Sequence, residues 1–119
     1  MGLEVSSIEE HTQGIFRISI AGSLDSDTHQ ILQNEVDKIL KKNPLSIVMD
    51  MHGLTYISSA GLQVVFYAKK TLNKIGGVVL LVNVHPRIKK VFDIVHFTSE
   101  LEIFSTVEEL DEYLDSIQK

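Results

Sequence analysis

This chain of 119 residues contains no cysteine. Disulfides, thiol nucleophiles and cysteine-based zinc or iron–sulfur sites are excluded together. A reducing cytoplasm suits such a chain, and a cytoplasmic location is expected. The N-terminal stretch MGLEVSSIEEH lacks a basic segment followed by an apolar one, so it does not read as a secretory signal. No apolar run approaches the roughly 18 residues that span a bilayer, so no membrane insertion is expected. Positive charge is also scarce. Lysine and arginine total 11 against 16 acidic residues, a formal net charge of -5. That balance provides no general attraction to nucleic acid or anionic lipid. The glycines form no G-x-x-x-x-G-K-[ST] phosphate loop. His11, His29, His52, His85 and His96 show neither H-x₃-H nor H-E-x-x-H spacing. No bound metal and no cofactor are therefore expected.

What is present resembles ordinary globular usage, with 44% apolar and 23% charged residues. The length fits one domain, residues 1–119. Leu3 to His11 and Ile15 to Ile20 alternate like two strands around a turn at Thr12-Gln13-Gly14, which predicts an antiparallel hairpin. Ile31, Leu32, Val36, Ile39 and Leu40 follow helical spacing, with Asn43-Pro44 as the stop. Leu45 to Met51 reads as a continuously apolar, buried strand that ends in a turn through Gly53. Leu62, Val65, Phe66, Ala68 and Leu72 mark a second helix closed by Gly76-Gly77. Val78 to Val84 reads as another buried strand. Pro86 opens a third helix with Ile88, Val91, Phe92 and Val95 inside. Leu101 to Phe104 is a short strand candidate. Ser105 or Thr106 would cap a last helix with Leu110, Tyr113, Leu114 and Ile117 inward. The order ββαβαβαβα predicts an α/β fold with a mixed, mostly parallel sheet and about four helices.

Chemistry concentrates at Ser58-Ser59, directly after a strand and before Ala60-Gly61-Leu62. A serine there can cap the helix, act as a nucleophile or accept a phosphate. The nucleophile elbow G-x-S-x-G is not met, and no S-x-x-K follows, so a catalytic serine is set aside. Capping and phosphorylation both remain. A phosphate at a helix N-terminus is tolerated by the free N–H groups and the dipole, so the surface can change while the fold persists. A second serine-rich turn, Gly22 to Thr28, holds Asp25 and Asp27. It lacks calcium-loop spacing and reads as a capping turn, with a contact role open for Asp25. Arg87, Lys89 and Lys90 read as a solvated face.

Three stretches resemble the STAS domain, and most of all the bacterial anti-sigma factor antagonists. They are Gly22-Ser23-Leu24-Asp25 through Thr28, Ile47 to Asp50 with Leu54 to Leu62, and Gly76-Gly77 leading to Val84-His85-Pro86 and Val91-Phe92. The resemblance runs from about residue 3 to 117 and implies the STAS-like fold. It also implies a phosphoacceptor two positions before the glycine, which is Ser59, with Ser58 as second choice. Many members carry aspartate where this chain has Ser58. The glycine often found after the V-F segment is replaced by His96 or Phe97.

The implied role is partner switching by a binding protein that is not an enzyme. The unphosphorylated form would bind an anti-sigma factor that is also an ATP-dependent serine kinase, and so free a sigma factor. Phosphorylation would break the complex, and a metal-dependent Ser/Thr phosphatase would reset it. The expected docking face comprises Asp25, Ser58, Ser59, Ala60, Gly61 and Leu62. The alternative is a STAS scaffold subunit in a lipid-transport or other signalling complex.

Overall fold

Alternation of apolar and polar residues builds the central strands. In Phe16-Arg17-Ile18-Ser19-Ile20 every second side chain is buried, as in Ile47-Val48-Met49-Asp50-Met51. The computed structural model describes residues 2–10, 14–97 and 107–118, with backbone alone for 94–97 and 107–110. Its elements are β1 (Leu3–Glu9), β2 (Ile15–Leu24), α1 (His29–Leu40), β3 (Ser46–Ile57), α2 (Ser59–Lys74), β4 (Val78–Val82), α3 (Pro86–Phe97) and α4 (Val107–Ile117). The strands lie in the order β1-β2-β3-β4. The first pair is antiparallel and the other two are parallel, so the hairpin and the mixed sheet expected from sequence are both present. The short strand expected over 101–104 and its neighbouring cap lie outside the described residues.

One face of this sheet carries the core. Ile18, Ile20, Ile47 and Met49 meet Leu32 and Val36 of α1, Leu62 and Leu72 of α2, Ile88 and Val91 of α3, and Leu114 of α4. The Ser7 hydroxyl also faces α1, donating to Glu35. Among the described residues the helices do not cover both faces, and this corrects the expectation of continuously buried parallel strands. Val78 is 49% and Leu80 51% exposed on the outer face. There Arg17 bridges Glu10 at 3.0 Å and Asp50 at 3.3 Å. Hydrogen bonds from Asn83 and the His52 N–H hold the Asp50 carboxyl below its ordinary pKa. One inward assignment fails, since Tyr113 of α4 is 38% exposed, and Ile31 of the apolar set in α1 is 46% exposed.

The turn expected at Gly53 is a strand. β3 runs on to Ile57, paired with β2 through register shifts after Ser19 and Gly22. A Cβ on Gly53 would sit 2.7 Å from the Ala21 Cβ. The glycine therefore serves close approach of two strands and does not reverse the chain. Extension of β3 carries the serine pair past the end of β4, to the level where β2 ends. Where the chain does stop a helix, local signals hold. Asn43 adopts a positive φ of 51° before Pro44, and Gly76 one of 87° after α2.

Candidate functional site

The serine pair sits at the β3–α2 junction, and the end of β2 supports it. The Ser58 N–H donates to the Leu24 carbonyl at 2.9 Å, and Leu24 pairs with Ile57. This brings Asp25, 33 positions from Ser58 in sequence, beside the pair. Asp25 Oδ1 accepts from the Asp27 N–H at 2.9 Å and the Thr28 N–H at 3.2 Å. The Thr28 hydroxyl donates to the Ser23 carbonyl at 2.7 Å and accepts from the Asp25 N–H at 3.0 Å. Asp25 thus organises the turn before α1 and remains half-buried.

The α2 N-terminus packs unusually close to β2. A Cβ on Gly61 would lie 2.7 Å from Leu24 Cγ and 2.9 Å from the Leu24 carbonyl oxygen. Only glycine permits this contact without a shift. Gly61 and Leu62 are buried beneath the site, and Ala60 is half-buried. Ser58 and Ser59 are 7% and 3% exposed. Of the six residues expected to form the docking face, Gly61 and Leu62 are therefore packing residues in this arrangement.

The capping position is the one expected, but the group that accepts at the cap is not a serine hydroxyl. Ser58 occupies the N-cap position, yet its side chain makes no capping hydrogen bond. Its buried hydroxyl oxygen has no partner among the described residues. The cap comes from α4. Asp111 Oδ1 accepts from the Ser59 N–H at 2.9 Å, and Asp111 Oδ2 accepts from the Ser59 hydroxyl at 3.0 Å. Ser58→Ala is accordingly expected to change stability by less than about 0.5 kcal/mol, or to stabilise, because an unpaired buried hydroxyl is removed. A side-chain cap would instead cost about 1 kcal/mol on removal. Urea denaturation of the two proteins separates the cases.

A second attachment lies at the other end of α4. Gln118, 5% exposed, accepts from the Ile57 N–H at 2.8 Å and donates to the Ile57 carbonyl at 2.7 Å. Its amide thereby completes the edge of β3 as a neighbouring strand would. Leu114, fully buried, lies between the two attachments. Asp111, Leu114 and Gln118 are spaced three and four apart, so one helical stripe makes all three contacts. The sequence reading missed Asp111 and Gln118. The available signal was a polar residue at each end of an apolar stripe.

Tyr56 completes the surroundings. Burial, a hydrogen bond to Asp115 and the charges of Asp115, Asp111 and Asp25 push its hydroxyl from the ordinary 10.0 up to about 12. The carboxylates favour the neutral phenol. The unfolded tyrosine ionises first, so this contribution to stability is complete below pH 10 and is lost as pH rises toward 12. Tyr56→Phe is expected to abolish that component of the alkaline stability loss. Melting temperatures of both proteins across this range measure it. Among the described residues no cluster of three or more His, Cys, Asp or Glu could hold a metal ion, and no helix is long and apolar enough to cross a membrane.

These features define a class of small α/β protein: a mixed sheet with helices on one face and a serine pair held at a strand–helix junction. The STAS domain family profile matches residues 8–110. BtrV of Bordetella bronchiseptica, assigned as an anti-sigma factor antagonist, is 33% identical over 86 residues, covering 72% of this chain and 74% of that one. The anti-sigma F factor antagonist of Paenibacillus polymyxa is 26% identical over 85 residues, covering 71% and 73%. The Bacillus cell fate determinant SpoIIAA in its phosphorylated form has a similar fold, with a TM-score of 0.64 at 18% identity over 82% of this chain and 86% of that one. The chain belongs to the STAS domain family, and the two sequence relatives are described as anti-sigma factor antagonists.

Proposed function

We propose that this chain, acting as one domain over residues 1–119, is a cytoplasmic anti-sigma factor antagonist that works by partner switching. In its unphosphorylated form it binds an anti-sigma factor that is also an ATP-dependent serine kinase, and a sigma factor is freed. The kinase then modifies Ser59. The hydroxyl loses its proton to a base of the kinase, an Oγ–P bond forms to the γ-phosphorus of ATP, and ADP leaves. A metal-dependent Ser/Thr phosphatase reverses this with water. The Oγ–P bond breaks, phosphate leaves and the hydroxyl regains its proton. ATP and metal belong to those partners, and this chain acts as a binding protein.

The observation that carries this reading is Ser59 as the first residue of α2, at the strand–helix junction beside Asp25. The names of the sequence relatives support it. Free N–H groups in the first turn favour an anion there, so the fold tolerates a phosphate that a partner cannot. Asp25, Asp111 and Asp115 all act on Tyr56, so the surroundings are acidic. A basic partner surface complements them, and binding weakens as salt rises. Asp25→Ala is expected to lower partner affinity by roughly 1 kcal/mol, about fivefold, as a rim charge is lost. Unchanged affinity in calorimetry would remove Asp25 from the docking face.

The direct test incubates the pure chain with ATP, Mg²⁺ and an anti-sigma kinase encoded beside it, followed by intact mass and site mapping. One added phosphate, absent in Ser59→Ala, supports the switch. Phosphate on Ser58 keeps the mechanism and replaces the residue. Binding without phosphate favours a constitutive scaffold.

A further inference from the structure

The acceptor assigned above is covered. Ser59 is 3% exposed, and both of its polar donors are engaged by the two oxygens of one carboxylate, Asp111. That carboxylate belongs to α4, which is fastened to the same junction by Gln118 on Ile57 and by Leu114 in the core. Asp111 thus already fills the place at the start of α2 where an anion would sit. A phosphate on the Ser59 oxygen brings a second anion to that place, with nearly two negative charges against the carboxylate. The hydrogen bond from the Ser59 hydroxyl is lost with its proton. The first turn of α2 retains free N–H groups at Ala60 and Gly61 that suit the phosphate.

We infer that α4 is a cover latched by Asp111, and that phosphate on Ser59 and docking of α4 exclude one another. This rests on Ser59 being the acceptor. Two consequences follow from thermodynamic reciprocity. Phosphorylation releases α4 from the junction, so the modified protein differs in shape as well as charge. In the other direction, docked α4 restrains modification, and the acceptor becomes available only when α4 opens locally. Asp111 is then a positioning residue that sets how readily Ser59 is modified.

Two measurements test this, and neither uses the partner. In the first, phosphoserine is installed at position 59 of the full chain during translation, and hydrogen exchange is followed by mass spectrometry. Peptides spanning α4 are expected to exchange at least about tenfold faster than in the unmodified protein. Those from β2 and β3 are expected to keep their protection. Adding Asp111→Asn to the phosphoserine protein restores slow exchange in α4, because the opposing charge is gone. Unchanged α4 exchange on phosphorylation overturns the inference.

The second measurement uses the absence of native cysteine. Ser59→Cys is then the sole thiol, and neutral iodoacetamide reports its accessibility. Adding Asp111→Ala, or Leu114→Ala with Asp111 retained, is expected to speed labelling by about tenfold or more. Equal rates in all three proteins mean that α4 covers nothing, and overturn the inference even if the phosphoserine protein fails to fold. Failure here leaves partner switching standing. Failure of the kinase to modify Ser59 is a separate result.

Discussion

Phosphoserine at position 59 is expected to weaken binding to the anti-sigma partner by about a hundredfold or more, equivalent to roughly 3 kcal/mol. The physical source is the burial of a near-dianion in a contact that forms with a neutral hydroxyl. Desolvation of that charge is costly, and the neighbouring Asp25 adds repulsion. Ser59→Ala is expected to bind within about threefold of the unmodified chain, because the hydroxyl removed is covered by Asp111 and the change adds no charge to the docking face. The alanine variant should also lock the protein in its binding form when kinase and ATP are present. Isothermal calorimetry with purified partner measures all three proteins. Equal affinity for the phosphoserine and serine forms would sink the switch and favour a constitutive scaffold. Ser59→Glu is a weaker imitation, since one carboxylate supplies less charge and fewer acceptor oxygens than phosphate. Its affinity should fall between the other two.

Leu114→Ala is expected to lower stability by about 2–5 kcal/mol, the usual range for emptying a fully buried leucine site. Leu114 is 0% exposed and joins α4 to the common core. For a chain of this size such a loss lowers the melting temperature by roughly 10 °C or more. The distribution of the loss is as informative as its size. β2 and β3 carry their own packing against α1 and α2, so their amides should remain protected while those of α4 exchange faster. Gln118→Ala should follow in the same direction with a smaller effect. It leaves the buried N–H and carbonyl of Ile57 without their partners, a cost of about 1–3 kcal/mol. A Leu114→Ala protein that melts within about 2 °C of the parent would show that α4 adds little to the core.

The strand–helix junction illustrates how far local sequence reaches. The place of the serine pair was legible because strand and helix periodicities meet there and because the surrounding residues resemble a known segment. Its capping chemistry was not legible. Ser58 has the residue type of an N-cap, and residue type alone cannot say whether the hydroxyl or a distant carboxylate takes the N–H. Position 53 illustrates a different limit. Glycine is used both for turns and for close contacts, and only the Ala21 backbone 32 positions away decides which applies. The outward faces of β3 and β4 illustrate a third. Val48, Val78 and Leu80 read as core because they are apolar, but burial depends on whether a helix lies above them.

By itself, the sequence determined the order of the described elements, the antiparallel hairpin, the mixed and mostly parallel character of the sheet, the helix ends at Asn43 and Gly76, and the place of the serine pair. The elements, the helix ends and the place of the serines depend on residues a few positions apart, so short-range periodicity and backbone preference are sufficient. The parallel pairings join residues about 30 positions apart and follow from the alternation of strands with helices. Only the tertiary structure decided that Val78 and Leu80 lie exposed on the outer sheet face, that β3 runs through Gly53, and that α4 closes over the junction. Asp111 meets Ser59 across 52 positions, and Gln118 meets Ile57 across 61. Contacts at that separation are selected by packing of the whole core around Leu114, and no local pattern carries them.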